Sequence, residues 1–261
     1  MSDTYADVDG SADPSGAVAW QDRVAGWPQV RAMKRRALEL LAGADPVLDV
    51  GCGPGGDVAE LGGRGIGLDA SMAMCAIASG RGVTVCRGDA HALPFATGSV
   101  GGVRTDRVLQ HVGDPDGVLD EVVRIARPGS RVVLVEPDQE TLVIEVPGVG
   151  RHLTDRLKAL RRDVGYRNGR LASTLPAALR ARGVTDVTAE PFGLLLTEPF
   201  ELLLTDPDDA FGLPTWPAHW RALGGFDDAD LAAWDRAMGR ARVEGMVYAV
   251  TFLVVAGTTG T

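Results

Sequence analysis

The chain is short of cysteine, of lysine and of basic runs. Its 261 residues hold three cysteines, Cys52, Cys75 and Cys86, an odd and scattered set. That argues against a disulfide framework, points to a reducing, cytoplasmic setting, and gives no spacing for a metal knuckle, so no metal is expected. Lysine occurs only as Lys34 and Lys158, the formal charge is −9, and the densest basic cluster is the four-residue "MKRR" from Met33 to Arg36. Nucleic acid and anionic membrane surfaces need positive charge, so neither is expected as a partner. No apolar run is long enough to span a membrane; "YAVTFLVVAG" (Tyr248–Gly257) has the length of a strand. The start, "MSDTYADVDGSADPSG", has no apolar core and does not read as a signal peptide.

What the chain does have is a rhythm. Val30, Met33, Ala37, Leu40 and Leu41 recur at helical spacing over Gln29–Leu41, and Gly43 follows. Strands are expected at Pro46–Val50, Gly65–Asp69, Val83–Asp89, Val100–Thr105 and Arg131–Pro137. Helices are expected from "DVAEL", "SMAMCAIAS" and "DPDGVLDEVVRIARPGS". The last of these has Asp114 as cap, a buried face of Leu119, Val122, Val123 and Ala126, and a stop at Pro128-Gly129. Strand alternating with helix means βαβ units with right-handed crossovers and a doubly wound α/β sheet. Residues 150–183 read as helical. Strands follow at Val184–Glu190 and at Met246–Gly257. The fifty-odd residues between them hold Trp216, Trp220 and Trp234 and read as a helical cap inserted before the last strand. The expected organisation is an N-terminal arm or lid at 1–28, a core at 29–192, a cap at 193–246 and the final core strand at 247–261.

"VLDVGCGPGGD" (Val47–Asp57) places Gly51, Gly53 and Gly56 at the G-x-G-x-x-G spacing of a dinucleotide loop. Asp49 and Asp57 flank the glycines, and Pro54 removes a backbone donor. A pyrophosphate is poorly served by that arrangement, whereas a cation is favoured by it and the glycines still allow close approach. An NAD-dependent oxidoreductase is therefore opposed by Asp49. S-adenosylmethionine, with a sulfonium, an ammonium and no phosphate, fits the sign of the charge.

The motifs "VLDVGCGPGGD", "GLDAS", "GDAHALPF", "RVLQHVGDP" and "ARPGSRVVLVEPD" stand in that order. In this the sequence resembles the class I S-adenosylmethionine-dependent methyltransferases, and in particular those acting on small metabolites. The resemblance implies a seven-stranded, mostly parallel Rossmann-like sheet and S-adenosylmethionine as cofactor. It implies that Asp49, Gly51, Cys52 and Gly53 face the methionine part of the cofactor and that Asp69, with Ala70 beside it, accepts from the ribose hydroxyls. Met72 would pack on the adenine, Asp89 would accept from its amine with the Ala90 N–H opposite a ring nitrogen, and Thr105 and Arg107 would border the methyl-transfer centre. Cys52 itself reads as a small buried residue rather than a nucleophile. Val100-Gly101 replaces the usual Phe-Asp opening of the fourth strand, and the motif of nucleic-acid adenine methylation is absent.

Methyl transfer from a sulfonium needs alignment and sometimes a base. His111 is the candidate base, the alternative being a loop-capping histidine. Gln110, Glu136, Trp216 and His219 are candidate acceptor contacts, His91 belongs at the cofactor rim, and Tyr5 and Trp20 are placed to close over the cofactor. The expected reaction is in-line methylation of a small organic acceptor in natural-product or antibiotic biosynthesis. A quinone C-methyltransferase, and a protein of this fold that uses the cofactor only structurally, remain as alternatives. No pattern in the sequence fixes the oligomeric state; the cap and the arm are both candidate interfaces.

Overall fold

The computed structural model describes residues 8–10, 14–197, 216–221 and 225–260. Two helices open the described chain, α1 (Pro14–Ala25) and α2 (Pro28–Glu39). A proline at the start of α2 presets its first turn, and Val30, Met33 and Ala37 bury one face against the sheet. Then strand and helix alternate: β1 (Val47–Val50), α3 (Gly56–Leu61), β2 (Gly65–Asp69), α4 (Met72–Gly80), β3 (Val85–Arg87), β4 (Val100–Asp106), α5 (Pro115–Ile125) and β5 (Ala126–Glu145). The second half holds α6 (Arg151–Leu160), α7 (Leu175–Ala181), β6 (Thr185–Leu196), α8 (Trp216–Arg221), α9 (Asp228–Glu244) and β7 (Val247–Thr258).

The seven strands form one sheet in the order β3-β2-β1-β4-β5-β7-β6. All pairings are parallel except those of β7, which runs antiparallel to both neighbours. All four residues of β1 are buried, as a central parallel strand requires. The order reverses between β1 and β4, and the carboxyl ends of those strands open the crevice in which ligands bind in such sheets.

β2 matches its expected bounds, and Asp114 caps α5 by accepting from the Gly117 N–H at 3.0 Å. The helix α5 stops at Ile125, not at Pro128. Ala126 takes extended backbone and pairs with Val100, so the buried face is Val118, Leu119, Val122 and Ile125, with Val123 half-buried. β3 is trimmed to three residues. β6 runs on to Leu196, four residues past the expected core edge at 192, because Gly193–Leu196 pair with Tyr248–Thr251 of β7. Between β6 and β7 the described residues form α8 and α9. Trp234 of α9 is buried in the core cluster, and a reciprocal box between Asp227 and Asp230 caps the helix. Tyr5 and residues 198–215 of the expected cap lie outside the described residues, as do the side chains of His219 and Trp220.

Candidate functional site

The chain leaves β1 through a loop that only glycine fits. Gly51, Gly53 and Gly55 have φ of 71°, 53° and 81°, the left-handed region that strains other residues. A Cβ on Gly51 would stand 2.4 Å from Val108 Cγ2, and one on Gly53 2.8 Å from Gln21 Oε1. Gly51 and Cys52 donate their N–H groups to Leu68 O, which ties the loop to β2. Asp69, at the end of β2, completes the cradle: Oδ2 accepts from Gly53 N at 2.8 Å and Oδ1 from Ser71 N at 2.9 Å. Burial outweighs these bonds and raises its pKa.

Beneath the loop lies a buried cluster of charge. Arg104 of β4 is fully buried and pairs with Asp49 at 3.2 Å, Asp57 at 2.8 Å and Asp106 at 3.1 Å. Lys34 of α2 reaches Asp57 at 2.6 Å and Asp106 at 3.5 Å, and Arg107 Nε lies 2.8 Å from Asp106. Asp49 is pushed up to about 7: burial is the largest cause, repulsion from Asp57 and Asp106 adds to it, and Arg104 opposes it. Burial also works against Asp106, but Arg107, Lys34 and Arg104 outweigh it and hold that carboxyl below the usual range. Arg107 itself stands at φ 58°, a left-handed conformation held by its N–H to Val135 O at 2.7 Å.

These groups surround a cavity of about 790 Å³. Asp49, Gly51, Cys52, Gly53, Asp69, Ala70, Asp89, Ala90 and Arg107 all line it, and so do Gln110, His111 and Trp216. Asp89 stands at the β3 side, where the backbone N–H and then the ring of His91 lower its pKa. His91 lines the same wall, with Nδ1 2.7 Å from Asp89. Burial raises the Cys52 thiol well above its ordinary value, so it is no nucleophile. His111 packs at 5.5 Å, ring to ring, on Tyr166, whose hydroxyl accepts from Arg161 at 2.8 Å.

Three expected residues are elsewhere. Met72 does not line the cavity; its side chain is 60% exposed at the start of α4, and Met74 and Val8 occupy the wall instead. Thr105 is buried but faces away from the wall, because alternation along β4 turns Arg104 and Asp106 toward the loop and Thr105 to the other side. Glu136 is also buried outside the wall. Its Oε1 accepts from Val108 N at 2.8 Å and Leu109 N at 2.7 Å, so it anchors the loop carrying Gln110 and His111 rather than touching an acceptor. Burial pushes its carboxyl up to about 8.

The sequence reading did not single out Arg104, and it used Lys34 only as part of a helix. It also passed over Val8, Tyr166 and Arg161, which line the cavity. The arm contributes more than the expected Trp20, which does line the cavity. Asp9 caps α4 by accepting from Ser71 Oγ at 2.5 Å, Met72 N at 2.8 Å and Ala73 N at 3.1 Å, and this fixes Val8 on the wall.

Residues 48–134 match the family of the methyltransferase domain. An uncharacterized 37.1 kDa protein in a transposon of Streptomyces fradiae is 40% identical over 159 residues, 54% of this chain and 46% of that protein. A demethylmenaquinone methyltransferase of Mycolicibacterium vanbaalenii is 38% identical over 109 residues, 41% of this chain and 47% of that protein. The chain thus spans about half the length of the curated relatives it matches. Among solved structures, phosphoethanolamine N-methyltransferase 2 of Haemonchus contortus, in complex with phosphomonomethylethanolamine and S-adenosylhomocysteine, superposes with a TM-score of 0.58 at 14% identity. The match covers 98% of this chain and 60% of that one, a likeness of fold. Residues 48–134 thus carry a methyltransferase domain, set in a sheet with the Rossmann-like methyltransferase fold.

Proposed function

We propose that this chain is an enzyme that transfers a methyl group from S-adenosylmethionine to a small organic acceptor, in natural-product metabolism. The observation that carries the reading is the wall of the cavity: a glycine cradle at Gly51 and Gly53 with Asp49, Asp69 and Asp89 at the ends of successive strands. The fit is one of shape and of sign. A Cβ would fill the cradle, and carboxylates suit a cofactor whose charges are a sulfonium and an ammonium.

When bound, S-adenosylmethionine supplies an activated methyl group. The chain supplies the rest. Asp69 would accept from ribose hydroxyls while it holds Gly53 N, and Asp89 and Ala90, on the same wall, would meet the base. Asp49 would hold the ammonium side. Val8 and Trp20 close the wall and exclude water, and Glu136 fixes the backbone that presents His111. His111 would take the proton that an acceptor hydroxyl releases on methylation.

The demethylmenaquinone methyltransferase among the relatives favours a second reading, C-methylation of a quinone-type acceptor. Incubation with S-adenosylmethionine and a set of hydroxylated aromatics and naphthoquinols, with S-adenosylhomocysteine measured by mass spectrometry, tests both. Turnover on naphthoquinols alone selects the second reading. No S-adenosylhomocysteine with any acceptor contradicts both.

A further inference from the structure

The cavity is polarised along the sheet. Its acids sit behind β2 and β3 and under the loop between β1 and β4, as Asp69, Asp89, Asp49, Asp57 and Asp106, with Asp22 on α1. Over the carboxyl end of β5 and the start of β7, on the other side of the switch point, the wall carries Arg161, Tyr166, Trp216 and Tyr248 instead.

Arg161 opens a π-helical turn, Arg161–Gly165, that continues α6, a distortion often found at functional positions. Its side chain is half-buried, and its partners among the described residues are neutral. Nε donates to Gln139 Oε1 at 3.3 Å, Nη2 donates to Tyr166 Oη at 2.8 Å, and Cζ lies 3.8 Å from the centre of the Trp216 ring. Gln139 is held in turn by donating from Nε2 to Gln110 Oε1, which aims its oxygen at Arg161. Arg161 makes no ion pair among the described residues. The two acids nearest in sequence are engaged elsewhere, Asp163 by Arg162 and Arg170 and Asp155 by Lys158. A guanidinium so fixed in a cavity wall, with no carboxylate among the described residues to offset its lost hydration, is stabilised by an anion brought by a ligand. The surrounding rings fit a flat ligand body. Trp216 and Tyr248 stand edge to face at 6.4 Å, and Tyr166 bridges from Arg161 to His111.

We propose that the acceptor is a planar aromatic molecule carrying a carboxylate, held with that carboxylate on Arg161, its ring among Trp216, Tyr166 and Tyr248, and its nucleophilic atom toward His111. The proposal rests on the methyltransferase reading and adds the acceptor class. A neutral quinone does not satisfy it.

The test is calorimetric titration of 1-hydroxy-2-naphthoate, and of the isosteric 1-hydroxy-2-naphthamide, into protein saturated with S-adenosylhomocysteine. The wild type should bind the carboxylate at least about tenfold more tightly than the amide, the scale of a charge-assisted contact. Arg161→Gln should bring that ratio to about one, and Arg161→Lys should keep part of it. All three proteins should bind S-adenosylhomocysteine equally, which also verifies that the variants fold. Equal binding of the two probes by the wild type, binding of neither, or a ratio unchanged in Arg161→Gln overturns the acceptor class. Failure of the wild type to bind S-adenosylhomocysteine at all overturns the methyltransferase reading instead, so the two failures are distinct.

Discussion

Arg104 meets Asp49 inside the protein, Nη1 to Oδ2 at 3.2 Å, with the arginine wholly buried. The carboxylate at the end of β1 is therefore not a bare negative charge at the cavity. It belongs to a cluster in which Asp49, Asp57 and Asp106 face Arg104, Lys34 and the more exposed Arg107. Removing one partner of such a cluster strands the others.

Arg104→Met should thus destabilise the protein by about 3–5 kcal/mol in urea unfolding, the usual scale for an uncompensated buried charge. Adding Asp49→Asn should recover part of that loss. A loss below about 1 kcal/mol would show that the cluster carries little of the fold's stability.

The raised Asp49 carboxyl makes cofactor affinity depend on pH. Its pKa is about 7 in the folded chain against about 4 when unfolded. Its contribution to folding stability is therefore complete below about pH 4 and is lost as pH rises through 7. Binding of a cation beside it has the opposite dependence, because an ammonium favours the carboxylate. Affinity for S-adenosylhomocysteine, which keeps that ammonium, should rise about tenfold from pH 6 to pH 8 with release of a proton. Calorimetry in two buffers of different ionisation enthalpy measures both quantities, and Asp49→Asn should flatten the profile. A profile in the wild type as flat as in the variant would refute the coupling.

Glu136 makes a similar prediction for stability alone. Its carboxyl is pushed up to about 8, so the stability it contributes is full below about pH 4 and is lost on the way up through pH 8. The difference in unfolding free energy between Glu136→Gln and wild type should therefore shift in favour of the variant between pH 5 and pH 9. Glu136→Leu leaves the Val108 and Leu109 N–H groups without their acceptor and should be about 2–4 kcal/mol less stable than Glu136→Gln at any pH in that range. A pH-independent difference for Glu136→Gln would contradict the buried, protonated carboxyl.

For catalysis, His111→Ala should lower turnover at least about tenfold on an acceptor that must lose a proton, with S-adenosylmethionine affinity near that of the wild type. Unchanged turnover would remove His111 as the base and leave it a packing partner of Tyr166.

Much of this site is written locally in the chain. Gly51, Gly53, Asp69 and Asp89 stand at strand ends, where apolar strand runs into turn residue, and their places on the cavity wall follow from that punctuation. Two of the misplaced residues are off by one or two positions. Thr105 and Arg104 are neighbours on β4, and the two-residue period of a strand sends them to opposite sides. Met72 and Met74 share the first turn of α4, and the Asp9 cap sets which of them turns inward, a contact that spans sixty-three residues in sequence. Ala126, a helix former, became strand because Val100 offers it a pairing partner. Arg104 in "VGGVRTD" shows no local sign of burial, since two of its three carboxylate partners, Asp49 and Asp57, come from β1 and the start of α3. Arg161 was hidden in the same way: its lack of an ion pair among the described residues depends on where Arg162 and Arg170 place Asp163.

The central claim is that the cavity takes a cationic, phosphate-free cofactor. Titration of S-adenosylmethionine and of NADH into the apo protein by isothermal calorimetry tests it most directly. The account predicts one saturable site for S-adenosylmethionine, weakened at least about tenfold by Asp69→Ala through loss of its charge-assisted hydrogen bonds, and no saturable binding of NADH. Saturable binding of NADH with none of S-adenosylmethionine would contradict it.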